Sequence, residues 1–163
     1  MYKVLAVILA RGGSKAIKKK NISILADHPL IAYTICEAKR AKNITDVVVS
    51  SDDKEIIEIA KSYGAEAPFV RPKELSGDTA KPVECNLHAT RFMENLKGYS
   101  YDFVVELLCT NPFKTSKDID AALEMQFETN ADSVIAVMRL DDHHPIRIKK
   151  IENGFIRDFC LPE

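Results

Sequence analysis

Residues 9–22 read Leu9-Ala10-Arg11-Gly12-Gly13-Ser14-Lys15-Ala16-Ile17-Lys18-Lys19-Lys20-Asn21-Ile22. An apolar run, Val4 to Leu9, leads into a Gly-Gly turn that carries five cations: Arg11, Lys15, Lys18, Lys19 and Lys20. That composition packs poorly and holds anions well. Gly12 and Gly13 allow close backbone approach and positive φ. Successive backbone N–H groups can then form an anion-binding concavity. Arg11 adds a donor fork, and Lys15 and Lys20 add point charges. The chemistry expected is polyphosphate binding, and a solvated basic turn is the competing reading. The spacing fits neither the P-loop nor the dinucleotide-binding glycine pattern.

Two further segments carry candidate ligand groups. Arg71 opens a polar loop that runs through Thr79 and Ala80, where its guanidinium could reach a ligand or pair with a surface carboxylate. Cys109-Thr110-Asn111-Pro112 follows a second apolar run, and a plain strand-to-helix turn competes with a ligand-contacting one. Cys109 has no evident histidine partner and reads poorly as a nucleophile. His143 and His144 are adjacent, so their side chains diverge in regular structure and do not suit one metal ion. The residues alone define no metal site.

Elements that would position these groups follow from periodicity. Strands are expected at Val4–Leu9, Asp46–Ser50, Ala65–Val70 (an edge, given Pro68), Phe103–Leu108 and Ser133–Val137. Helices are expected at Pro29–Ala41, Lys54–Tyr63 after the capping residues Ser51-Asp52-Asp53, Pro82–Leu96 and Ser116–Phe127. Alternation of buried strands and amphipathic helices predicts an α/β, Rossmann-like, mostly parallel sheet with helices on both faces. In such sheets ligands bind at the carboxyl ends of the strands, where loops 10–22, 71–81 and 109–115 should gather. After Arg139 the pattern changes. Residues 146–151 and 155–159 flank Asn153-Gly154, a hairpin turn signal. The expected division is an α/β core over 1–138 and a hairpin arm over 139–163.

Composition bounds the rest. The chain has 163 residues, 46% hydrophobic and 29% charged, with a net charge of −1. That balance gives no global attraction to nucleic acid or anionic membrane. No apolar stretch approaches the roughly 18 residues a membrane span needs. The N-terminal residues do not read as a signal peptide. Cys36, Cys85, Cys109 and Cys160 form no Cys-x-x-Cys pair, so cytoplasmic thiols are expected.

Taken together these pieces resemble the acylneuraminate cytidylyltransferases. The segment from Ala10 to Ile22 is similar to that family's glycine-rich signature, with Ala16 and Lys18 in place of its usual Gly and Pro. Pro29 to Ile35, Val48 to Asp53, Tyr63 to Glu66, Phe69 to Pro72, Glu74-Leu75, Asp78 to Ala80, Ala131 to Val134 and His144-Pro145 continue the resemblance in order. Leu107 to Lys114 stands where the family tends to have Leu-Gln-Pro-Thr-Ser-Pro-Leu-Arg, so Leu108 takes the place of an amide that touches the sugar.

The resemblance implies a nucleotide-diphospho-sugar transferase fold. It implies a reaction in which CTP and a nonulosonic (sialic-type) acid give the CMP-sugar and pyrophosphate, in polysaccharide biosynthesis. It casts Arg11, Lys15 and Lys20 as catalytic groups on the triphosphate. Gly12, Gly13, Ser14, Asn21, Arg71, Thr79 and Ala80 would bind the nucleotide, and Cys109, Thr110 and Asn111 the sugar. It implies Mg²⁺, with ligands expected in a C-terminal part beyond this sequence, and a homodimer built through the arm from about Arg139. A synthetase for another sugar, such as pseudaminic or legionaminic acid, and a non-catalytic CTP-binding or oligomerising remnant stay open.

Overall fold

The computed structural model describes residues 2–13, 17–129, 131–137 and 148–158. Residues Met1–Ala131 form one compact unit and Asp132–Glu163 a second. The first unit is built on β1 (Val4–Leu9), whose continuous apolar run suits a strand buried on both faces. β2 (Ile24–Leu25) and β3 (His28–Pro29) make a small hairpin that leads into α1 (Leu30–Arg40). Then follow β4 (Asp46–Ser50), α2 (Lys54–Ser62), α3 (Pro82–Lys97), β5 (Phe103–Glu106) and α4 (Ser116–Thr129). The main sheet has the order β4-β1-β5, and every pairing is parallel.

Alternation along β1 sorts the core into two layers. Val4, Ala6 and Ile8 face a cluster with Ile31 and Ile35 of α1, Ile56 and Ala60 of α2, and Ile119 and Leu123 of α4. Leu5 and Val7 face Phe69 and the α3 residues Ala89 and Met93. Helices therefore cover both faces, as the patterning predicts.

Helix boundaries match the expected capping chemistry. Asp53 is the N-cap of α2, accepting from Glu55 N at 2.8 Å and Ile56 N at 3.4 Å. α3 has Pro82 in its first turn and ends at Gly98 with φ 74°. The small β2–β3 hairpin and a 3₁₀ turn at Lys20–Ile22 were not expected from periodicity.

Two expected strands are not formed. Residues 65–70 make one parallel bridge, Val48 to Glu66, rather than a strand. Glu66 bonds Val47 O and Val49 N, and Pro68 then withholds the N–H a ladder needs. Arg71 N rejoins the sheet margin by donating to Ser51 O at 2.7 Å. Residues 133–137 form no strand either, and Ile135 and Val137 are largely exposed. Their β propensity has no ladder partner among the described residues. β5 is also shorter than expected and stops at Glu106.

The second unit contains β6 (Lys149–Glu152) and β7 (Phe155–Asp158), paired antiparallel with Ile151 opposite Ile156. Asn153 and Gly154 take φ values of 54° and 79°, as a two-residue turn with both central residues left-handed requires. Residues 146, 147 and 159 of the expected hairpin, with His143, His144 and Cys160, lie outside the described residues.

Away from the strand carboxyl ends, polar clusters hold elements together. Burial alone would raise the pKa of Asp46. Hydrogen bonds from Tyr99 (2.5 Å) and Tyr101 (2.8 Å), together with Lys97, outweigh it and hold the carboxyl below its usual range. Glu37 ties α1 to α4 by accepting from Ser116 N at 2.8 Å and Arg40 Nη1 at 2.6 Å. The Ser116 N–H, above all, keeps its carboxyl below the ordinary glutamate range. A carboxylate depressed in the folded state stabilises fully above its unfolded pKa of about 4.3, and that stability is lost as pH falls through the folded value. Glu37→Gln is therefore expected to lose about 1 kcal/mol at pH 7 and to show a shallower acid limb in urea titrations run from pH 7 to pH 3.

Candidate nucleotide site

The carboxyl ends of β1 and β5 open into a cleft of about 520 Å³. Its polar wall includes Arg11, Lys20, Asn21, Arg71, Asp78 and Thr110, and its apolar wall includes Leu9, Leu75, Leu108 and Cys109. The loops after β1, before α3 and after β5 meet here. Of the residues the sequence singled out, the cleft gathers Arg11, Lys20, Asn21, Arg71, Ala80, Cys109 and Thr110. Gly12, Gly13, Thr79 and Asn111 do not line it. Ser14 and Lys15 lie outside the described residues.

The glycine loop is closed by its own residues. Asn21, 7% exposed, donates from Nδ2 to Arg11 O at 3.1 Å, so the two ends of the loop are stapled. Among the described residues of the loop, Lys19 is the left-handed one (φ 51°), and neither glycine is. Gly12 is needed for another reason: a Cβ there would meet the Asp53 side chain at 2.7 Å. Gly13 has open space around the same position. The expected positive φ at Gly12 and Gly13 is thus corrected to one close approach, at Gly12. Nor does the Gly12 amide wait for an anion, because it donates to Asp52 Oδ1 at 2.9 Å.

Cations around the loop are unequal. Lys19 pairs with Glu55 and, at 3.8 Å, with Asp53, which draws it toward α2. The Glu55 contact above all holds its pKa up. Arg11 bonds Asp78 Oδ1 at 2.9 Å and Gly77 O at 3.4 Å, both through Nη1. Lys20 lines the cleft with no carboxylate partner among the described residues.

Arg71 is the least ordinary group. Its side chain is 4% exposed, yet its guanidinium contacts among the described residues are Ser76 Oγ at 3.4 Å and Asp52 Oδ1 at 3.7 Å. A buried guanidinium carries five N–H donors and a large desolvation cost, so weak partners leave it poised for acceptors of a ligand.

The β5 wall is set by Lys114. Its ammonium donates to Thr34 Oγ1 (2.9 Å), Leu108 O (2.8 Å) and Asn111 O (2.5 Å), folding residues 108–114 against α1. Burial lowers its pKa. Cys109 is 3% exposed, and burial pushes its thiol up to about 11, against the pull of Lys114 and Lys20. It is a neutral wall residue, not a nucleophile, at neutral pH.

Among the described residues, no group of three or more His, Cys, Asp or Glu is placed to hold a metal ion. The carboxylates that touch the glycine loop and Arg11 are already turned onto N–H donors. The described residues offer no preformed carboxylate cage for Mg²⁺. Among them, no helix is long and apolar enough to cross a membrane.

A parallel three-layer α/β core places a cation-lined cleft at the carboxyl ends of its strands, where ligands of such sheets bind. The Cytidylyltransferase family model matches residues 5–150, and the chain belongs to that family. It is 38% identical over 145 residues to a pseudaminic acid cytidylyltransferase of Campylobacter jejuni, covering 89% of this chain and 61% of the relative. It is 35% identical over 135 residues to the CMP-N,N'-diacetyllegionaminic acid synthase of Legionella pneumophila, covering 83% and 57%. An N-acylneuraminate cytidylyltransferase of Escherichia coli is 36% identical over 76% of this chain and 28% of its own length. The chain thus spans about three fifths of the first two of these relatives.

Among solved structures, CMP:2-keto-3-deoxy-manno-octonic acid synthetase complexed with CTP superposes with a TM-score of 0.62 at 21% identity, over 79% of this chain and 49% of that one. A 4-diphosphocytidyl-2C-methyl-D-erythritol synthase superposes at 0.66 and 17% identity, over 96% and 67%. These two likenesses establish the fold.

Proposed function

We propose that the cleft binds CTP and that the protein transfers its CMP group to a nonulosonic acid, releasing pyrophosphate. The observation that carries this reading is Arg71, a buried and under-satisfied guanidinium in a cleft that also presents Arg11 and Lys20. Family membership and relatives that act on pseudaminic, legionaminic and acylneuraminic acids support the substrate class.

In the proposed step, the anomeric hydroxyl oxygen attacks the α-phosphorus. The bond from that phosphorus to the bridging oxygen breaks, pyrophosphate leaves with the electron pair, and the hydroxyl proton passes to solvent. Arg11 and Lys20 hold the phosphates and offset the charge that builds there, with Lys15 as a third expected cation. Arg71, Asn21 and Ala80 hold the cytidine. Leu108, Cys109 and Thr110 form the acceptor wall. Mg²⁺ is the proposed cofactor, with ligands outside the described residues. A homodimer acting in the cytoplasm completes the reading.

Pyrophosphate release in the presence of CTP, Mg²⁺ and a panel of nonulosonic acids tests it. Release that depends on one acid is expected. CTP binding without release from any acid would remove the transferase step, and absence of CTP binding would remove the site.

A further inference from the structure

One carboxylate with no assigned role stands between the phosphate loop and Arg71. Asp52 follows β4, and its Oδ1 accepts from Gly12 N at 2.9 Å and lies 3.7 Å from Arg71 Nη2. A single oxygen therefore touches both halves of the cleft. Its neighbour Asp53 does something else: it caps α2 and abuts Gly12 from the side. Among the described residues, no other carboxylate forms an ion pair with Arg71. Arg71 is nearly buried, whereas Asp52 is 30% exposed. A buried cation needs a counter-charge to stay both ionised and fixed in direction.

We propose that Asp52 is a positioning residue that couples the glycine loop to Arg71, so that phosphate and base recognition share one anchor. The proposal rests on reading the cleft as the CTP site. Asp52 acts on the ligand through two groups. Its negative charge would repel a triphosphate placed alone beside it. Its benefit comes through Arg71, and a ligand that does not engage Arg71 gains nothing from it. This gives the two ligand parts opposite responses.

Asp52→Asn is nearly isosteric, retains an oxygen for Gly12 N and removes the charge facing Arg71. Calorimetric titration is expected to show CTP binding about tenfold weaker, with inorganic triphosphate unchanged or tighter. The melting temperature confirms that the variant is folded. In an Arg71→Ala background the same substitution is expected to cause no further weakening of CTP binding, which is the signature of action through that residue. Asp52→Ala, which also removes the Gly12 acceptor, is expected to weaken both ligands. CTP affinity within twofold of the parent for Asp52→Asn would overturn the proposal. So would an equal weakening of both ligands by that variant, or an undiminished effect without Arg71. Failure of the parent chain to bind CTP would overturn the reading of the cleft itself and is seen before any variant is made.

Discussion

Arg71→Ala is expected to weaken CTP binding by about a hundredfold while the protein stays folded. Two hydrogen bonds from a charged donor, at roughly 1.5 kcal/mol each, amount to about that factor. The present partners of the guanidinium are a 3.4 Å contact to Ser76 Oγ and a 3.7 Å contact to Asp52. Losing them therefore removes little native stability. The carboxylate left behind is 30% exposed and can rehydrate. Arg71→Lys should recover only part of the affinity, because an ammonium on a flexible stem cannot reproduce a planar fork. Calorimetric titration with CTP, beside a thermal melt, reads both quantities. A loss smaller than about threefold would mean that Arg71 does not touch the nucleotide.

Lys114→Met is expected to do the reverse, lowering stability by about 2 kcal/mol. The substitution keeps the stem length and deletes an ammonium that satisfies three oxygens at once. Thr34 is 1% exposed, and its Oγ1 would lose this donor. Thr34 is the buried acceptor, and abandoning it costs about 1–3 kcal/mol, whereas the exposed Leu108 and Asn111 carbonyls can turn to water. Because two of the three oxygens are backbone groups of Leu108 and Asn111, the β5 wall of the cleft should loosen with it. Urea denaturation gives the stability change. An unchanged midpoint would show that the lysine is an exposed decoration of the loop.

The sequence was most readable where chemistry is local. Asp53 ahead of Lys54 gives a cap, Asn153-Gly154 gives a turn, and the unbroken run Val4 to Leu9 gives a central parallel strand. Cleft residues were readable for a related reason: a parallel sheet brings the ends of its strands to one rim, so Arg11, Lys20 and Thr110 had to be neighbours. What escaped depends on long-range partners. Residues 65–70 and 133–137 have strand propensity, but a strand also needs a ladder. The first segment has a bridge and the second has none among the described residues. Asp52 and Lys114 escaped for the same reason. Nothing in the pair Asp52-Asp53 says which carboxylate turns to the helix and which to the glycine loop. Nothing in Phe113-Lys114 says that the ammonium will turn inward onto Thr34.

The charge arrangement around the glycine loop sets how fast a ligand arrives. Five cations in the segment suggest strong long-range attraction for CTP, but Lys19 is neutralised by Glu55 and Asp53, and Arg11 by Asp78. Seen from more than about 8 Å away at physiological ionic strength, such pairs act as dipoles whose fields cancel. Encounter with CTP is therefore steered less strongly than five free cations would allow, the remaining pull coming from cations such as Lys20 that have no carboxylate partner among the described residues. Discrimination among ligands is left to the dissociation rate, after the exposed Asp78 has given up Arg11 to a phosphate.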